Sequence, residues 1–199
     1  MAYSDFDLRK ALTDFALTSE ERVDLFAGVP PVEPSEMLRD WLDEFVRPAL
    51  SFGSERGRGE SIIFPILAEA KRRSPQPVTI APGVAFEVDK ERGLTGFCDY
   101  ILTRSREVYF VRGPVFAAVE AKKEDITGGL GQCAAEMVAI RIFNERDKTP
   151  IPAVYGCVTS GNMWRFLKLD GSTLYIDEPE YYLSDVPKIL GILVHIASS

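Results

Sequence analysis

Three residues of this chain combine types and spacing that can do chemistry: Asp99, Glu120 and Lys122. Asp99 lies in Gly96-Phe-Cys-Asp-Tyr-Ile-Leu-Thr103, and the other two close Ala117-Ala-Val-Glu-Ala-Lys122. Both segments have strand composition. Side chains two apart on a strand point to one face, so Glu120 and Lys122 share a side while Ala121 faces away. If the two strands pair, Asp99 comes alongside Glu120. Two carboxylates held together repel unless a cation lies between them. Hard oxygen ligands suit Mg²⁺ or Mn²⁺, which keep several waters and take few protein carboxylates. Such an ion polarises a phosphate and lowers the pKa of a bound water. Lys122 can then orient that water or stabilise charge on phosphorus, and the Ala121 carbonyl is a further candidate ligand.

An exposed Glu–Lys pair on a strand is the usual explanation for such a motif. Here Phe116-Ala-Ala-Val119 precedes it, which predicts a buried strand where unpaired charge is costly. Asp99 followed by Glu120-x-Lys122 resembles the signature of the PD-(D/E)xK nuclease superfamily. The resemblance runs over roughly residues 55–195 and extends to small bacterial, often cyanobacterial, nuclease-like proteins of undefined role. It implies a restriction-endonuclease-like core and a glutamate on the helix before the sheet. Arg58-Gly-Glu60-Ser-Ile-Ile-Phe-Pro65 offers Glu60 for that place. Glu69 is the rival, and Glu60 is preferred because it precedes the apolar run. The resemblance also implies a glutamine where the next helix begins, and Gly128-Gly-Leu-Gly-Gln132 supplies Gln132. Glu136 lies one helical turn further on, as a supporting candidate. The proline in the family's name is replaced by Cys98.

The expected metal ligands are therefore Glu60, Asp99 and Glu120, with Asp99, Glu120, Lys122 and Gln132 as the catalytic set. The cofactor is Mg²⁺ or Mn²⁺, and the expected activity is endonuclease-like hydrolysis of nucleic acid, DNA first. Cutting both strands of a duplex calls for two sites, hence a homodimer. The rival reading is a catalytically silent nucleic-acid-binding or assembly module that keeps the fold.

The elements that must position these residues follow from periodicity. Residues 1–50 read as an N-terminal helical extension, with a helix start at Thr18-Ser-Glu-Glu and a second helix from Ser35 through Leu50. Residues 51–199 read as the nuclease-like domain. A helix is expected over 60–73, with Pro65 in its early turns. Strands are expected at 78–80, 84–88, 97–103, 108–111 and 115–122. A glycine-rich loop then leads into a helix ending near Asn144. A strand at 153–158, a hairpin across Asp170-Gly171 and a closing helix at 185–197 complete the chain. This order predicts a mixed α/β (α+β) fold, with a central mixed sheet flanked by helices.

Composition bounds the rest. The chain has 199 residues and a formal charge of −7, which argues against coating nucleic acid through bulk charge. The acidity is uneven: residues 1–50 hold 11 acidic and 5 basic side chains, residues 51–199 hold 19 and 18. Arg56, Arg58, Lys71, Arg72, Arg73, Arg104 and Arg106 can track phosphates, although a solvated surface is the default for each. Trp164 and Phe166 are expected in the core. Cys98, Cys133 and Cys157 read as buried thiols and His195 as a helix-flank residue without a catalytic role. With no spanning run and no signal-peptide pattern at the start, the expectation is a cytoplasmic protein without a membrane partner.

Overall fold

The N-terminal residues pack into the body of the protein rather than standing apart from it, in the computed structural model of residues 1–199. Asp7 caps helix α1 (Leu8–Asp14) by accepting from Lys10 N at 2.7 Å. Tyr3, Phe6, Ala11 and Phe15 are buried against the interior. The expected helix start at Thr18 is instead strand β1 (Thr18–Val23). It runs along the sheet's edge, where Thr18 N donates to Ser172 O at 2.9 Å. Pairing with a strand distant in sequence outweighs the local capping pattern. The exposed, charged Glu20, Glu21 and Arg22 suit an edge that must not pair further. Helix α2 (Glu36–Phe52) opens on Ser35, whose Oγ accepts from Leu38 N at 3.3 Å. Pro48 lies within it without ending it.

Residues 55–73 form one helical run in three parts: α3 (Glu55–Arg58), a π turn (Gly59–Ile63) and α4 (Phe64–Arg73). Pro65 accounts for the irregularity. It has no N–H, so the Ser61 carbonyl that it faces in a regular helix lacks its donor. Trp41 Nε1, from α2, donates to Ser61 O at 2.9 Å instead. Two helices are thereby joined beside Glu60.

The sheet that follows contains β2 (Thr79–Ala85), β3 (Phe97–Thr103) and β4 (Val115–Ala121). Helix α5 (Ile126–Arg146) leads to β5 (Ala153–Thr159), β6 (Met163–Asp170) and β7 (Thr173–Asp177). The short β8 (Tyr181–Tyr182) and helix α6 (Val186–Ser198) end the chain. The strand order is β1-β7-β6-β5-β4-β3-β2, with β8 beside β6. The β4–β5 and β1–β7 pairs are parallel and the others antiparallel. Helix α5 makes the crossover between β4 and β5, as a parallel pair requires.

One face of the sheet packs Ile101, Ala118 and Val158 against α5 and α1. The other packs Val119, Ala121, Trp164 and Phe166 against α2, α4 and α6. The protein is thus a mixed α/β fold with a central mixed sheet flanked by helices, and residues 1–50 contribute to both cores. Three further expectations change. The segments 78–80 and 84–88 merge into β2, which runs through Pro82 and Gly83 because it is an edge strand. Residues 108–111 are an exposed connection, since β3–β4 pairing ends at Thr103 and Val115. The glycine-rich segment before Gln132 is the first part of α5 and not a loop. No helix is long and apolar enough to cross a membrane.

Candidate functional site

The ladder between β3 and β4 stops after Tyr100 and Val119. One step further along, Asp99 replaces the missing backbone acceptor: its Oδ2 accepts from Ala121 N at 2.7 Å. The separated strand ends open a cleft of about 490 Å³, lined by Asp99, Tyr100, Ala121, Gly83, Arg56 and Glu60 among others. Gly83, at φ +58, bends the edge strand at this point. Burial raises the Tyr100 hydroxyl to about 12, helped by the negative charges of Asp99 and Glu60.

Glu120 and Lys122 share a side, as their spacing predicts. Lys122 Nζ donates to Glu120 Oε1 at 2.7 Å and to Gln132 Oε1 at 2.9 Å. Gln132 Nε2 in turn donates to Glu136 Oε1 at 3.1 Å. The row therefore joins β4 to the first turns of α5. Glycines permit the approach: a Cβ on Gly129 would sit 2.6 Å from Val158 Cγ1 and 3.1 Å from Lys122 Cγ, and one on Gly131 would overlap the Asp7 backbone. Backbone pairing continues past the strand through Lys122 N, which donates to Thr159 O at 2.8 Å.

Burial shapes the electrostatics. Glu120 is 3% exposed. Its burial and the charge of Asp99 push its carboxyl up to about 7, against the opposing effect of Lys122. Glu136 is fully buried, and burial followed by the Glu120 charge pushes it well above the usual carboxylate range. Burial thus raises both carboxyls, and two negative charges in one buried place repel. The Oε2 atoms of both residues are buried without a hydrogen-bond partner. Burial lowers the Lys122 ammonium, but the Glu120 bond outweighs it and the net shift is upward. Lys122 is therefore a cation here and not a base.

Of the residues expected at the site, Glu120, Lys122 and Gln132 form one hydrogen-bonded group, and Asp99 meets their strand through the Ala121 backbone alone. Glu60 does not join it: it lines the cleft's outer wall, and its Oε1 accepts from Arg56 Nε at 2.8 Å. The π turn places Glu60 on the exposed side of the helix. The rival Glu69 is structural. It is buried and accepts from Arg72, Arg73, Ser35 N and Ser35 Oγ. Burial raises its carboxyl, but these bonds prevail and hold it at about 2.

Several basic residues expected to track phosphates are occupied elsewhere. Arg58 Nη1 donates to Lys123 O at 2.6 Å and Ser160 O at 3.2 Å, clamping the helix to the strand ends. Arg104 donates to Ala197 O and Ser199 O, and lies over the Phe116 ring. Glu136 proves more central than its sequence position indicates. The available signal was a lone carboxylate in the small and apolar run Cys133-Ala-Ala-Glu-Met-Val-Ala-Ile140.

Nowhere do three or more His, Cys, Asp or Glu side chains form a ready-made metal cage. The buried row sets the carboxyls of Glu120 and Glu136 against the single Lys122 ammonium. Asp99 Oδ1 and the Ala121 carbonyl edge are oxygen donors of the kind Mg²⁺ or Mn²⁺ takes together with water. Comparison with protein-family models, with curated proteins and with solved structures found no match for the chain.

Proposed function

We propose that the chain is a metal-dependent phosphodiesterase acting on nucleic acid, with DNA as the first substrate to test. The observation that carries the reading is the Lys122 ammonium pinned between Glu120 and Gln132, on the strand next to the one whose Asp99 lines the open cleft. Support comes from an aspartate on one strand, Glu-x-Lys on its neighbour and a glutamine on the following helix, the order in which the PD-(D/E)xK resemblance has them, while Glu60 stands apart on Arg56. Asp99 and Glu120 would hold Mg²⁺ or Mn²⁺, with Glu60 reaching it through water once released from Arg56. A bound ion would polarise the phosphate and acidify a water.

The chain's own groups supply the remainder. Two of the three Lys122 N–H donors are committed, and the third is free to bond a phosphate oxygen as charge builds on it. Gln132 fixes the direction of that ammonium. Glu136 accepts from the Gln132 amide and so orients the oxygen that Gln132 turns to Lys122. A duplex cut on both strands would call for a homodimer, whereas a single strand needs one copy.

The pairing of Glu60 with Arg56, together with the lack of a ready cage, favours a second reading: a binding or assembly module without turnover. Cleavage assays separate the two. Supercoiled plasmid, linear duplex, single-stranded DNA and RNA are incubated with Mg²⁺ or Mn²⁺, using native protein, Asp99→Ala and Lys122→Ala. Metal-dependent cleavage lost in both variants supports the phosphodiesterase. Binding of a substrate without cleavage by native protein moves the reading to the module.

A further inference from the structure

A second groove, of about 260 Å³, adjoins the cleft and shares Glu60 as its wall. Its other lining residues include Met37, Trp41, Phe64 and Pro65. An aromatic row leads into it from the cleft: Tyr100 stacks on Phe64 with centroids 6.4 Å apart and planes at 28°. Across the groove, Trp41 is backed by Phe45 at 4.4 Å. Trp41 and Phe64 are 41% and 40% exposed. The Trp41 ring is also fixed in direction by its bond to Ser61 O, so its open face is presented without losing rotamer freedom on binding.

We propose that this groove seats an unpaired nucleobase whose phosphate lies in the cleft, so that the substrate is single-stranded nucleic acid or a frayed end. The proposal rests on the phosphodiesterase reading. Aromatic platforms beside a backbone track are how single strands are held, whereas a duplex keeps its base faces stacked inside. Charge agrees with this choice. Helix α2, which carries Met37 and Trp41, also carries Glu36, Asp40, Asp43 and Glu44 against Arg39 and Arg47. That surface offers a seat for a neutral ring and repels the phosphates of a duplex laid along it.

The protein reports on the groove by its own fluorescence. It has two tryptophans, and Trp164 is fully buried, so quenching by an added strand reads Trp41. The full chain, carrying Lys122→Ala to keep strands whole, is titrated in Mg²⁺ with oligothymidylate, an abasic strand of equal length and a blunt duplex. Quenching by oligothymidylate alone is expected. In dye-labelled anisotropy, Trp41→Leu should weaken oligothymidylate binding about tenfold, the scale of one lost base stack, and leave the abasic strand unchanged. Met37→Ala, at an exposed position of the same wall, should weaken it in the same sense if Trp41→Leu fails to fold. No quenching by any strand, or equal affinity for all three ligands, overturns the proposal. Cleavage that depends on Asp99 without quenching overturns the base seat alone. Quenching without such cleavage keeps the base seat and removes the phosphodiesterase.

Discussion

Replacing Glu120 by glutamine should stabilise the protein at alkaline pH and leave it nearly unchanged in mild acid. The native carboxyl rises from 4.5 to about 7 because it is buried and faces Asp99. Below pH 4.5 it is protonated in both folded and unfolded chains and contributes no difference. Between 4.5 and 7 the folded chain keeps a proton that the unfolded chain has lost, so stability falls as pH rises. At pH 8, with about 1.4 kcal/mol per pH unit, the accumulated cost is about 3 kcal/mol. Glutamine mimics the neutral form and avoids that cost, and its amide can meet the buried Oε2 of Glu136. Urea unfolding in EDTA at pH 5, 6, 7 and 8, followed by tryptophan fluorescence, measures the difference. The variant should match native protein within about 1 kcal/mol at pH 5 and exceed it by about 3 kcal/mol at pH 8. Millimolar Mg²⁺ should stabilise the native chain and not the variant. Parallel stability–pH curves, or a variant less stable at pH 8, would refute the electrostatic reasoning.

Two other substitutions probe the frame around the site. Gly129→Ala places a Cβ 2.6 Å from Val158 Cγ1 and close to the Lys122 stem. It should cost about 1–3 kcal/mol in thermal or urea unfolding and lower cleavage by displacing Lys122. Glu69→Gln removes the carboxylate that Arg72, Arg73 and Ser35 hold at about 2. That group's stabilisation is present above pH 4.5 and lost as pH falls toward 2, so the variant should be about 3 kcal/mol less stable at pH 7 and converge with native protein in acid. Cleavage per folded molecule should be unaffected, which separates Glu69 from the site.

The strands carrying Asp99 and Glu120 are legible because their own composition and period specify them. So is the Asp170-Gly171 hairpin, where a turn signal stands between two short apolar runs. The Glu120–Lys122 pair is legible because a period of two places both side chains on one face. What is not legible depends on partners distant in the chain. Strand β1 looks helical alone, because its reason to be extended is β7. Gly129 and Gly131 read as a loop, because the surfaces they approach are Val158 and Asp7. The direction of Glu60 follows from a π turn that Pro65 initiates and Trp41 completes, and no local pattern encodes that.

The proposed site requires Asp99 and Glu120 together to hold a divalent cation. Isothermal titration of Mn²⁺ into the native chain at pH 7, in buffers of different ionisation enthalpy, tests it most directly. Saturable binding accompanied by proton release is expected, since the proton that burial keeps on the Glu120–Glu136 pair must leave for the metal, and that binding should be lost in both Asp99→Ala and Glu120→Gln. No binding to the native chain, or binding that survives Asp99→Ala unchanged, would contradict it.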